Sequence, residues 1–212
     1  MIILIASVLI NYFHEFENMS NLQWLLFLIF PMIGAMYYGA NFFSARYNLR
    51  SIGWLKPFLI GFVWAGVTTI YPFEYHDVLN STHHPVTILE ILLFLKNLMF
   101  ISMVAILFDI KDYASDSSSH LNTMVVKIGL RKTILFVVFP LTILGVLTFL
   151  SYALVHQFSL LKMILIMIPF FLLIIVARSL KRRRSLMYYL VAIDGLLVVK
   201  AAFGILAAMV TS

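Results

Sequence analysis

Apolar residues fall into seven runs separated by polar breaks: Met1–Phe13, Asn21–Ala40, Ile52–Tyr71, Thr87–Phe108, Thr133–Leu154, Leu160–Ala177 and Met187–Met209. A helix rising about 1.5 Å per residue needs about 20 apolar residues to cross a bilayer, and most of these runs reach that length within a few residues. The first is shorter and starts at Met1, with no Lys or Arg before Arg46. It has neither the basic start nor the small-residue cleavage site of a secretory signal. We read it as the latter part of a helix that begins outside this sequence. The connections are short except for Pro72–Pro85 and Asp109–Lys132, and no internal repeat is visible. The pattern predicts an all-α polytopic transmembrane bundle of about seven segments, folded as one domain over residues 1–212.

Composition strengthens this expectation. The chain is 63% hydrophobic and 11% charged, with a mean hydropathy of +1.02, more apolar surface than a soluble domain can bury. It has no cysteine, which excludes disulfides, thiolate metal sites and cysteine nucleophiles. The net charge of +6 is distributed by connection. Arg46, Arg50 and Lys56 precede or open the third run, Lys111, Lys127, Arg131 and Lys132 follow the fourth, and Arg178 and Lys181–Arg184 precede the last. The intervening connections carry Glu15, Glu17, Glu74 and Asp77, with Lys162 nearby. By the positive-inside rule the basic side is cytoplasmic and the C-terminus lies outside. The run Lys181–Arg184 then reads as an anchor on anionic membrane lipid, and a nucleic-acid partner is not expected.

The chemistry lies in the long basic-side connection. Asp109, Asp112 and Asp116 occur within eight positions at the end of an apolar run. If the helix continued through them, offsets of three and seven would set all three carboxylates on one face. Such a face beside a membrane calls for a hard cation. Mg²⁺ held by carboxylates keeps coordination positions open for phosphate oxygens, which points to a diphosphate substrate. Lys127, Arg131 and Lys132 follow at spacings that can group on one side of a short helix and meet phosphate. The competing explanation is a solvated loop whose charges serve topology alone.

The run Asp109-Ile-Lys-Asp112-Tyr-Ala-Ser-Asp116, with Asn122-Thr123-Met and Lys127-Ile-Gly129, resembles the second aspartate-rich motif of the UbiA superfamily of intramembrane prenyltransferases. The stretch Tyr47-Asn-Leu-Arg50-Ser-Ile-Gly-Trp-Leu-Lys56, followed by Val63-Trp64-Ala65 and Tyr71-Pro72, is similar to that family's central helices, most of all in a bacterial prenyltransferase-like branch. The resemblance implies transfer of a prenyl group from a prenyl diphosphate to an aromatic or other lipophilic acceptor, in a bacterial inner membrane. It implies Mg²⁺ on Asp112 and Asp116, the residues expected to be catalytic, with Asp109 beside them. Arg50, Lys56, Lys127, Arg131 and Lys132 would contact diphosphate, and an aromatic-lined cavity would hold an allylic cation. Family members have nine helices and two aspartate motifs. Aligned on the motif, this chain corresponds to helices three to nine and lacks the first motif. Glu15 and Glu17 cannot replace it, because three runs separate them from Asp109 and put them on the other side.

Glu90, Lys96, Asp194 and Lys200 lie inside apolar runs, where charge is costly and calls for a partner or a function. An Asp194–Lys96 ion pair is expected if the fourth and last runs pack together. His76, His83 and His84 read as loop residues, Pro140 and Pro169 as helix kinks, and Gly34, Gly39, Gly61 and Gly66 as places for close helix contact. Other classes compete. A CDP-alcohol phosphotransferase needs Gly and Arg between its aspartates, and neither occurs between Asp109 and Asp116. A non-catalytic descendant or scaffold is consistent with the missing first motif. A small transporter could use the four intramembrane charges as a relay, but the chain shows no inverted repeat.

Overall fold

The computed structural model describes residues 19–38, 52–80, 86–118, 123–180 and 185–210, and among these the regular structure is entirely helical. Helix α1 is Asn21–Tyr38. Helix α2 covers 56–79, built from Lys56–Ala65, a π turn at Gly66–Ile70, and Tyr71–Leu79. Helix α3 is Ile88–Lys111, and two short helices follow, α4 at Tyr113–Ser118 and α5 at Met124–Ile128. Helix α6 is Leu130–Val155, α7 is Leu160–Ser179, and α8 covers 186–209. The run Met1–Phe13, Arg46, Arg50, His83, His84 and Lys181–Arg184 lie outside the described residues.

Two of the three π turns among the described residues have a local cause. A proline ring inside a helix collides with the carbonyl four residues earlier and offers no N–H. For Pro72 that carbonyl belongs to Thr68, and for Pro140 to Phe136. Each lies within a π turn, Gly66–Ile70 and Ile134–Val138. The wider turn makes room for the ring, and the helix continues. This corrects the expected Pro72–Pro85 loop, since the chain stays helical to Leu79. Asn80 ends the helix, its Nδ2 donating to the His76 carbonyl at 2.8 Å.

Helix α3 begins with a capping box. Thr87 Oγ1 accepts from the Glu90 N–H, and a Glu90 carboxylate oxygen accepts from the Thr87 N–H, both at 3.3 Å. Glu90 therefore belongs to the first turn of α3 and is not placed as a relay group within the membrane. The same end of the bundle shows a strained stop. After α6, Gln157 takes φ 51°, and the Phe158 N–H reaches back to the Ala153 carbonyl at 3.0 Å, a closure glycine usually makes. Gln157→Gly is therefore expected to raise stability by about 1 kcal/mol, read as a higher unfolding midpoint of the purified chain in detergent. A lowered midpoint would show that the Gln157 side chain contributes more than its backbone costs.

Helix α3 forms the centre, packed between α2 and α6, while α7 pairs with α8 and α1 lies on α2. Within their most apolar stretches, 44% of α3 is buried against 17% of α8. Phe100, Met103, Ile106 and Leu107 of α3 are fully covered. The Phe100 ring meets Phe170 of α7 edge-on at 5.2 Å, and Thr142 of α6 points its hydroxyl at Met103 Sδ, 3.1 Å away. The α1–α2 contact is aromatic: Phe30 stacks obliquely on Phe62 at 5.2 Å, and Tyr71 donates to the Phe27 carbonyl at 2.6 Å.

The outward faces of α6, α7 and α8 remain apolar, with Phe136, Leu147, Phe171, Val191 and Val198 all exposed. A water-soluble bundle would not leave such faces bare. Four helices, Ile88–Lys111, Leu130–Val155, Leu160–Ser179 and Met187–Met209, are long and apolar enough to cross a bilayer, and Asn21–Tyr37 is a shorter apolar helix. This is compatible with an integral membrane protein. Successive long helices alternate in direction, so the start of α2 and the end of α3 meet at one end of the bundle.

Candidate functional site

The site is positioned by a close approach of α2 and α3. Gly61 is buried against Ser102, and a Cβ at Gly61 would stand 2.9 Å from the Leu98 carbonyl oxygen and 3.1 Å from the Ser102 nitrogen. Only glycine lets the backbones come this near. Four residues on, Ala65 is fully buried as well. With the two helices held this way, Lys56 in the first turn of α2 reaches Asp109 in the last turn of α3. Lys56 Nζ donates to Asp109 Oδ1 at 2.7 Å, a short charge-assisted bond. The Asp109 side chain is 1% exposed and that of Lys56 34%. Asp109 Oδ2 is buried and has no hydrogen-bond partner.

The three aspartates do not form one helical face. Helix α3 ends at Lys111, and Asp112 is its cap, with φ −88° and ψ 2°. Its carboxylate is 47% exposed and sits 3.4 Å from Lys111 Nζ. Asp116 lies on the separate helix α4, where its N–H donates to the Asp112 carbonyl at 2.9 Å. The Asp116 side chain is buried, and its Oδ2 also lacks a partner. The turn at Asp112 thus leaves Asp109 and Asp116 inside and Asp112 outside. Among the described residues, no three carboxylate or imidazole groups converge into a set that could hold a metal ion.

The basic candidates are spread more widely than their spacing suggested. Gly129 takes φ 91° and breaks the chain between α5 and α6. Lys127 therefore ends one helix, while Arg131 and Lys132 begin another. All three are exposed. Thr123, which sequence placed in the motif without a role of its own, opens α5 with its Oγ1 buried and unpartnered.

Beside the Lys56–Asp109 pair opens a cavity of about 870 Å³ bounded by α2, α3 and α8. Lys56, Asp109, Trp64 and Phe108 line it, and Lys200 and Asn97 reach it farther along. Asn97 is buried and donates to Thr69 Oγ1 at 2.7 Å. Most of the remaining wall is aliphatic, including Ile101, Val104, Leu197 and Ile205. The space suits a long apolar chain with a charged head at the Asp109 end. Sequence pointed to Lys200 only as a mid-membrane charge, and the structure makes it part of this wall. The expected Asp194–Lys96 pair does not form: Asp194 is exposed, and Lys96 Nζ lies 5.7 Å from the Phe149 ring centroid.

Comparison of the chain with protein-family models, curated proteins and solved structures finds no match.

Proposed function

We propose that the chain binds a prenyl diphosphate, with its hydrocarbon in the α2–α3–α8 cavity and its head at Asp109, as a prenyltransferase of the UbiA type. The observation that carries this is a buried carboxylate with an unpartnered oxygen, paired with a lysine, on the wall of a large apolar cavity. The resemblance of the Asp109–Gly129 stretch to the family's second motif gives the same direction. The basic residues Lys56, Lys111, Lys127, Arg131, Lys132 and Arg178 sit at helix ends, and by the positive-inside rule this supports a cytoplasmic location for the Asp109 end.

The donor set fits Mg²⁺. Two buried carboxylates with free oxygens, Asp109 and Asp116, suit an ion that takes one or two carboxylates and fills its other positions with water and phosphate. Bound there, the metal would draw charge from the diphosphate and favour its departure. The chain's own groups do the rest. Lys56 offers an ammonium to a diphosphate oxygen, and the apolar wall excludes water. Trp64 and Phe108 line the cavity, and aromatic rings there would stabilise a cationic allylic fragment before an acceptor carbon takes it.

The test is equilibrium binding of geranylgeranyl diphosphate to the purified chain in detergent, with Mg²⁺ and with EDTA. We expect EDTA, Asp109→Asn and Asp116→Asn each to weaken binding at least tenfold, about 1.4 kcal/mol. Asp112→Asn, at an exposed side chain, should change it less than threefold. Binding that ignores Mg²⁺ and both buried aspartates would overturn the proposal in favour of a membrane protein without this chemistry.

A further inference from the structure

A second cavity of about 400 Å³ opens toward the other end of the bundle, between α3, α6, α7 and α8. Three lysines line it: Lys96 from α3, Lys162 from α7 and Lys200 from α8. All three are half-buried, and among the described residues none makes an ion pair. Glu90, the acidic residue nearest along α3, holds the Thr87 N–H in the capping box. Each ammonium instead sits near a ring. Lys162 lies 4.4 Å from the Phe158 centroid, Lys200 5.0 Å from Phe100, and Lys96 5.7 Å from Phe149. Rings partly replace water around a cation. They do not cancel three like charges gathered in one apolar enclosure. The Tyr152 phenol completes the polar lining, and Leu93, Ile166, Pro169 and Phe170 supply an apolar floor.

We infer that this cavity is an anion site, in which Lys96, Lys162 and Lys200 together hold the phosphate of a ligand entering from the end opposite Asp109. The depth order supports such a path. Lys162 is in the first turn of α7, Lys96 lies two turns into α3, and Lys200 is near the middle of α8. A phosphate drawn past Lys162 therefore meets two further cations before it reaches a closed apolar wall, where Phe149, Phe170 and Ala207 are buried. Lysines suit this task as mobile point charges that follow the anion. The phosphate can come from an anionic lipid whose acyl chains lie against the exposed faces of α6 and α7, or from a free anion.

Native mass spectrometry of the full chain in neutral detergent tests this. The probes are dioctanoyl phosphatidylglycerol, the matching phosphatidylcholine, and inorganic phosphate, all at 0.5 M NaCl. That salt screens the exposed Lys127, Arg131 and Lys132, while an enclosed contact is screened much less. A lipid source is supported if one phosphatidylglycerol binds at least tenfold tighter than phosphatidylcholine and resists 10 mM inorganic phosphate. A free-anion source is supported if inorganic phosphate binds alone or displaces the lipid. In either case Lys96→Met and Lys162→Met should each weaken binding at least fivefold. Equal retention of the two lipids with no binding of phosphate would overturn the inference without recourse to any variant. Binding that survives both cavity substitutions would also overturn it.

Discussion

Lys56→Met is expected to destabilise the protein by about 2–3 kcal/mol, and the added change Asp109→Leu is expected to restore most of that loss. Asp109 is 1% exposed, and its one charged partner among the described residues is the Lys56 ammonium at 2.7 Å. Taking away one member of a buried pair leaves the other as an uncompensated charge, which costs about 3–5 kcal/mol in enclosed sites. The lower figure applies because the Lys56 side chain is 34% exposed and solvent screens part of the interaction. In the double variant no charge remains to be satisfied, and leucine fills much of the space next to Ile110 and Phe108. Reversible unfolding in mixed micelles, run on both single variants and the double, gives the coupling energy directly. A coupling below about 0.5 kcal/mol would mean that the pair contributes nothing to the fold.

Gly61→Val is expected to cost about 3 kcal/mol, the upper end of what forced overpacking produces. A Cβ there meets the hydroxyl of Ser102, which can rotate, and also the Leu98 carbonyl and the Ser102 nitrogen, which cannot. Relief requires α2 and α3 to separate. Lys56 and Asp109 are on those two helices, so prenyl diphosphate binding should fall along with stability. Gly34→Ala is the control. A Cβ at Gly34 finds nothing within 4 Å, and alanine in a helix interior is favoured by about 0.5–1 kcal/mol. Equal unfolding midpoints for the Gly61 and Gly34 variants would mean that the α2–α3 contact tolerates a side chain.

The long apolar helices were legible from sequence because length and hydropathy act locally. The run Leu160–Ala177 becomes Leu160–Ser179, and Thr87–Phe108 becomes Ile88–Lys111 with Thr87 as its cap. Residues 72–79 read as loop in sequence because Pro72, Glu74, His76 and Asp77 are ordinary stop signals, although the chain there is helical to Leu79. The π turn that accommodates Pro72 has no sequence signature of its own. The aspartate cluster was visible, but its division was not. Whether Asp112 continues a helix or caps it decides which carboxylates turn inward, and spacing allows either. The Lys56–Asp109 bond spans 53 residues and depends on the contact at Gly61. Glycine signals the permission for such a contact and leaves the partner unnamed. Lys200 is a similar case: hydropathy shows that its charge is unusual, while the cavities it faces exist only after α8 has packed.

Helix α8 puts Lys200, Gly204 and Ala208 on the walls of both cavities. These residues follow each other at one-turn intervals, so a single stripe of one helix is the partition between the two spaces. Occupants on either side of a shared partition are not thermodynamically independent. A shift of α8 that enlarges one chamber comes out of the other, and the Lys200 ammonium can turn toward only one of them at a time. Linkage then requires that whatever factor one occupant imposes on the affinity of the other be returned in full. Two molecules that never touch would compete for the same helix.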